Sequence, residues 1–170
     1  ADMYLRHLES IIEELLTEFR IVYLTGPRQA GKTTTVRQIA NRLNMDYVTL
    51  DNQAVFEAAN NDPHGFIQSF GSKKLALDEF QYSPSLIPAI KECSDQLITE
   101  TSGAEQMGKF LLTGSADIFR SAKTQEALPG HMARLELYPL SICELNQKPV
   151  NIIDYLVAGN LSGNTNPMPT

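Results

Sequence analysis

Cysteine is scarce in this chain of 170 residues. Cys93 and Cys143 stand alone, without the spacing of a metal-ligand set, which excludes a disulfide framework and a thiolate metal site. They read as two reduced, buried thiols of a cytoplasmic protein. No apolar run approaches the roughly 20 residues of a membrane span, so no transmembrane helix is expected. The first residues, ADMYLRHLES, lack the apolar core of a secretory leader. Positive charge is also short: 14 Lys and Arg against 20 Asp and Glu give a net charge of −6, with no basic run. That balance argues against broad, nonspecific binding of nucleic acid. Internal repeats are absent. With 42% hydrophobic and 20% charged residues, what is left is one folded domain with a real core.

The apolar pattern gives its elements. Leu5, Leu8, Ile11, Ile12, Leu15, Leu16 and Phe19 recur at helical spacing, which predicts a helix over 3–18. RIVYLT (20–25) is a strand, 33–43 a helix, and DYVTL (46–50) a second strand. A helical stretch follows near 54–59, and another begins at Asp62-Pro63, where Asp caps and Pro takes the first turn. KLAL (74–77) is the third strand, ending at Asp78-Glu79. A helix over 84–99 leads to KFLLT (109–113), closed by Gly114-Ser115. A short helix at 116–122, a strand RLEL (134–137) and a helix near 152–157 complete the pattern. Strands alternate with helices, so the fold class is α/β, a mostly parallel five-stranded sheet covered on both faces. Residues 1–150 are expected to form the domain, and the turn-rich 151–170 a linker or the start of a further domain.

Between the first strand and its helix lies TGPRQAGKTTT. Gly26, Pro27, Arg28, Gln29, Ala30, Gly31, Lys32 and Thr33 fit G-x-x-x-x-G-K-[ST] at every fixed position. Phosphates are bulky anions, so a backbone that binds them must come close and aim its N–H groups inward; glycine permits that path. The helix start adds unpaired N–H groups, those of Thr33 and Thr34 among them, and a positive dipole end. Lys32 supplies a charge for the β- and γ-phosphates, and Thr33 a hydroxyl for Mg²⁺. Asp78 and Glu79 end an apolar strand, where ligands of parallel sheets bind. Asp78 is the candidate Mg²⁺ support and Glu79 the candidate general base for water. Thr113 and Ser115 end the next strand, where a polar group would meet the γ-phosphate. Gln81 and Tyr82 are candidates to line the same side.

TGPRQAGKTT, LDEFQYSP, LLTGS and LPG…LELYPLS, in this order, resemble the prokaryotic AAA-type ATPases with GPRQ-type phosphate loops. The resemblance covers roughly residues 15–145. It implies a three-layer αβα P-loop NTPase fold with strand order 5-1-4-3-2, and ATP and Mg²⁺ as cofactors. It implies Lys32, Asp78, Glu79 and Ser115 (or Thr113) as the catalytic set, with Thr33 and Asp78 toward the metal. It also implies a C-terminal domain beyond this chain, as an intramolecular or protein partner. The chain departs from the family at Leu128-Pro129-Gly130-His131, where an arginine usually precedes the last strand. His131 is a poor substitute for a guanidinium fork. Arg134 or Arg120 would have to replace it, or a second copy would supply it in a homo-oligomer. Three functions stay open: a Mg-dependent ATPase driving or gating a second domain, a nucleotide-gated interaction module with negligible turnover, and a small-molecule kinase. The last would want an arginine-rich lid, and residues 116–131 hold only Arg120.

Overall fold

A computed structural model describes residues 2–26, 31–100, 107–115 and 132–137. The elements run α1 (Asp2–Glu18), β1 (Ile21–Thr25), α2 (Lys32–Arg42), β2 (Asp46–Thr49), α3 (Gln53–Asn61), α4 (Pro63–Gln68) and β3 (Leu75–Asp78). A 3-10 turn (Phe80–Tyr82), α5 (Leu86–Glu100), β4 (Phe110–Gly114) and β5 (Met132–Glu136) follow.

The five strands form one parallel sheet in the order β2-β3-β4-β1-β5, which is the expected 5-1-4-3-2 read from the other edge. Successive strand side chains face opposite ways, and the two sets enter two cores. Val22, Leu24, Ala76, Leu111, Ala133 and Leu135 pack with the apolar stripes of α1 and α2. Ile21, Tyr23, Leu75, Leu77, Phe110 and Leu112 pack with α5 and with Ala59 of α3 and Ile67 of α4. Both faces are covered, so the strands can be apolar throughout; all residues of β1, β3 and β4 are buried. This is the three-layer αβα arrangement.

Local chemistry explains several boundaries. Asp62 caps α4 by accepting from the Gly65 N–H at 3.0 Å, and Pro63 takes the first position. Asn52 does the same for α3 toward Val55. β5 begins at Met132, two residues before the expected start, because Met132 and Ala133 join the sheet without β-branched side chains to announce it. The 3-10 turn after β3 was not expected. Cys93, read as buried, is half-buried on α5. No helix among the described residues is long and apolar enough to cross a membrane. Residues 27–30, the helices expected at 116–122 and 152–157, Cys143, Arg120, His131 and the proposed 151–170 linker lie outside the described residues.

Candidate active site

Parallel strands end together, and the ends of β1, β3 and β4 bring the sequence candidates to one edge. Thr25 pairs with Gly114 and with Glu136 in register. The backbone leaves β1 through Gly26 at φ 153, where an added Cβ would lie 2.9 Å from the Leu137 Cβ and 3.0 Å from its carbonyl oxygen. Glycine is needed there for close approach. Gly31, at φ 84 and ψ 18, is the left-handed residue that opens α2; a side chain would be strained in that conformation. Both fixed glycines of the motif therefore have a structural reason.

Lys32 is 6% exposed. Its Nζ donates to the Gly114 carbonyl at 3.3 Å, so the cation rests on the tip of β4.

Asp78 lies on the face of β3 that carries Ala76, the face toward α2. It is 2% exposed. Burying a carboxylate costs several kcal/mol unless hydrogen bonds replace its water. Four donors do so here. The Thr33 hydroxyl donates to Oδ2 at 2.9 Å, and the Tyr47 hydroxyl to the same oxygen at 2.6 Å. The Glu79 amide donates to Oδ1 at 3.1 Å, and the Thr113 hydroxyl to Oδ1 as well. The donors come from α2, β2, β4 and the residue after Asp78 itself.

Sequence reasoning missed Tyr47. It reads as an ordinary strand residue, and only the pairing of β2 with β3 takes its hydroxyl to Asp78. Arg37 of α2 stacks its guanidinium 5.2 Å from the ring centroid. Burial, then the bond to Asp78, hold the phenol above its ordinary pKa, with Arg37 opposing. Tyr47 thus stays a donor at neutral pH.

Glu79 follows with φ 58 and ψ 45, left-handed for a residue with a side chain. Such strain gathers at functional sites. Its amide also reaches the Thr113 hydroxyl oxygen at 3.1 Å, and its Oε2 accepts from Gln81 Nε2 at 2.6 Å. Thr113 is fully buried. Ser115, one step past β4, is held through its carbonyl, which accepts from the Tyr23 hydroxyl at 2.9 Å. Burial first, then the charge of Glu79, hold the Tyr23 phenol above its ordinary pKa.

Thr34 lies on the other side of α2. It borders an open polar cleft of about 540 Å³ between α1 and α2, lined also by Arg6, Ser10, Gln38 and the pair Glu13–Arg42. Arg134 sits mid-strand opposite Tyr23, two residues back from the edge that carries the site. No group of three or more His, Cys, Asp or Glu able to cage a metal occurs among the described residues. A hydroxyl and one carboxylate, Thr33 and Asp78, suit Mg²⁺, which keeps most of its waters and takes phosphate oxygens.

A phosphate-loop helix start, an acid-ended strand one place removed from the loop strand, with β4 between them, and the 5-1-4-3-2 sheet define a P-loop nucleotide-binding protein. The chain belongs to the AAA domain family, which it matches over residues 18–146; these are ATP-binding P-loop ATPases. It is 30% identical over 122 residues to an uncharacterised protein of Mycobacterium tuberculosis and equally to one of Mycobacterium bovis. The match takes in 72% of this chain and 26% of each relative, so the chain spans about a quarter of their length. Among solved structures, a DNA replication initiation factor is similar with a TM-score of 0.55 and 16% identity, over 89% of this chain and 55% of that one. That likeness concerns the fold.

Proposed function

We propose that this chain binds Mg-ATP at the edge formed by Gly26–Thr34, Asp78, Glu79 and β4, and hydrolyses it to ADP and phosphate. The observation that carries the reading is the 2.9 Å bond from Thr33 to Asp78. It joins the residue after the phosphate-loop lysine to the buried acid of β3, the pairing that a phosphate-bound Mg²⁺ needs. Thr33 and Asp78 would hold the metal, which when bound would offset the negative charge of the phosphates.

The chain's own groups have separable tasks. Backbone N–H groups of the loop, those of Arg28, Gln29 and Ala30 by their place in the motif, would surround the phosphates; Pro27 has none to give and would only shape the turn. Lys32 exchanges the Gly114 carbonyl for phosphate oxygen. The Thr33 hydroxyl would offer a lone pair to the metal while its O–H still donates to Asp78. Glu79 takes the proton of the attacking water; the water oxygen bonds the γ-phosphorus, and the bond to the bridging oxygen breaks with its electron pair leaving on ADP. Thr113 is already committed to Asp78, so Ser115 is the freer group for the γ-phosphate. The free energy would pass to a C-terminal domain or protein partner, with any arginine finger supplied from outside the described residues or by a second copy.

Calorimetric titration with Mg-ATP and a phosphate-release assay test this. Lys32→Ala should lose binding. Glu79→Gln should bind within a few-fold of the parent and lose turnover by about 10² or more. Unchanged turnover in Glu79→Gln would remove the general-base role. Tight binding with no turnover in the parent would leave a nucleotide-gated module instead.

A further inference from the structure

Beside Glu79 lies a side chain whose setting calls for a role. Gln81 is held in the 3-10 turn that follows β3. Its Nε2 donates to Glu79 Oε2 at 2.6 Å. Its Oε1 is buried and has no donor among the described residues. The amide fits against the tip of β4 because residue 114 is glycine: a Cβ there would lie 2.7 Å from Gln81 Oε1 and 2.5 Å from the Tyr23 hydroxyl. If the slot served packing alone, an apolar side chain such as Met would fill it without an orphan acceptor. The polar group that is used is the NH₂, and it is used on Glu79.

The backbone of Glu79 is fixed independently. Its left-handed conformation and its amide bonds to Asp78 and Thr113 set where the side chain departs. A glutamate leaving a fixed point still has three side-chain torsions to settle. The Gln81 donor on Oε2 narrows that freedom.

We propose that Gln81 is a positioning residue for Glu79: its NH₂ holds Oε2 so that Oε1 is the oxygen that receives the proton of the attacking water. The inference rests on the hydrolysis reading above and deepens it. The same Gly114 that makes room for Gln81 carries the carbonyl on which Lys32 rests. The base and the phosphate-loop lysine therefore share one anchor at the tip of β4.

The test uses Gln81→Met, Gln81→Glu and the exchange Glu79→Gln with Gln81→Glu in the same chain. Readouts are kcat and KM for Mg-ATP, calorimetric affinity for a non-hydrolysable ATP analogue, and thermal unfolding. Gln81→Met should melt near the parent and keep KM and affinity within about threefold, while kcat falls on the order of tenfold or more, the cost of a misplaced reacting group. Gln81→Glu sets two carboxylates face to face and should lower the melting temperature. The exchange restores a carboxylate–amide pair and should recover the melting temperature without recovering turnover. Parent turnover with undiminished kcat in Gln81→Met overturns this proposal alone. So does a loss of kcat, affinity and melting temperature in parallel, which would mark a merely structural residue. A parent that binds Mg-ATP without turnover overturns the hydrolysis reading, and this proposal with it.

Discussion

Thr113 offers a sharp test of how the acid of β3 is kept in place. Its hydroxyl does two things: it donates to Asp78 Oδ1 and accepts from the Glu79 amide at 3.1 Å. Thr113→Val keeps nearly the same volume in a fully buried site, so no large cavity term arises. The Glu79 amide keeps its other acceptor, Asp78 Oδ1, at 3.1 Å. The loss is one donor of four from a buried carboxylate. A hydrogen bond to a charged group contributes about 1.5–3 kcal/mol. For a domain of this size each kcal/mol moves Tm by about 2–4 °C, so Thr113→Val should melt roughly 3–12 °C below the parent. Thr113→Ser provides the contrast. It keeps the hydroxyl and gives up one buried methyl, a cost of about 1 kcal/mol. The order of stability should be Thr, then Ser, then Val, and turnover should survive Ser better than Val. Circular-dichroism melts without nucleotide decide the matter. A valine variant within 1 °C or so of the parent, or one more stable than the serine variant, would refute the claim that Asp78 depends on this donor.

Gly114→Ala should destabilise the chain by about 1–3 kcal/mol, the usual cost of overpacking, since the new Cβ would meet the Tyr23 hydroxyl and Gln81 Oε1 at 2.5 and 2.7 Å; a denaturant midpoint equal to the parent's would contradict the packing at this tip. The Tyr23 phenol, raised by burial and by Glu79, predicts alkaline lability. Above pH 10 or so, where the unfolded phenol ionises, the folded phenol keeps its proton, so the folded state binds more protons and stability falls as pH rises. The decline attributable to Tyr23 approaches about 1.4 kcal/mol per pH unit. Urea unfolding between pH 9 and 11 should therefore show a steeper fall for the parent than for Tyr23→Phe, and parallel slopes would remove Tyr23 as the cause.

The parts legible in the sequence were those in which backbone geometry forces a residue type. Gly26 and Gly31 must be glycine, one for close approach to Leu137 and one for its left-handed turn, so the phosphate loop announces itself. Asp78 was readable on a different ground, as a charged residue that closes an apolar strand. The sheet order was another matter. Periodicity gives strands, not neighbours, and the order came from resemblance to a family. Tyr47 was invisible because its role depends on which strand lies beside β3. Between Thr113 and Ser115 the sequence could not choose, since both are polar and both end a strand. Depth separates their tasks: Thr113 is buried against Asp78, whereas Ser115 lies one residue past the strand, its carbonyl bonded to Tyr23. Gln81 stood out as a candidate to line the site, but its bond to Glu79 exists only because an unexpected 3-10 turn brings the two side chains together.

The same contacts say which groups would have to move when a nucleotide arrives. Asp78 would not. A hydroxyl can donate its O–H to a carboxylate and a lone pair to a cation at once, so the bond from Thr33 to Asp78 would survive the proposed metal binding, and Tyr47 and Thr113 brace the same carboxylate from the two strands beside it. Lys32, whose Nζ now donates to the Gly114 carbonyl at 3.3 Å, is the group that the proposed reaction turns toward phosphate oxygen. In the proposed reaction that exchange frees an acceptor at the very residue whose missing side chain makes room for Gln81. Phosphate binding and the setting of the general base then meet at one glycine. A substitution at Gly114 should accordingly lower the turnover of Mg-ATP, because the slot it closes belongs to Gln81, and kcat measured for Gly114→Ala beside the parent checks it.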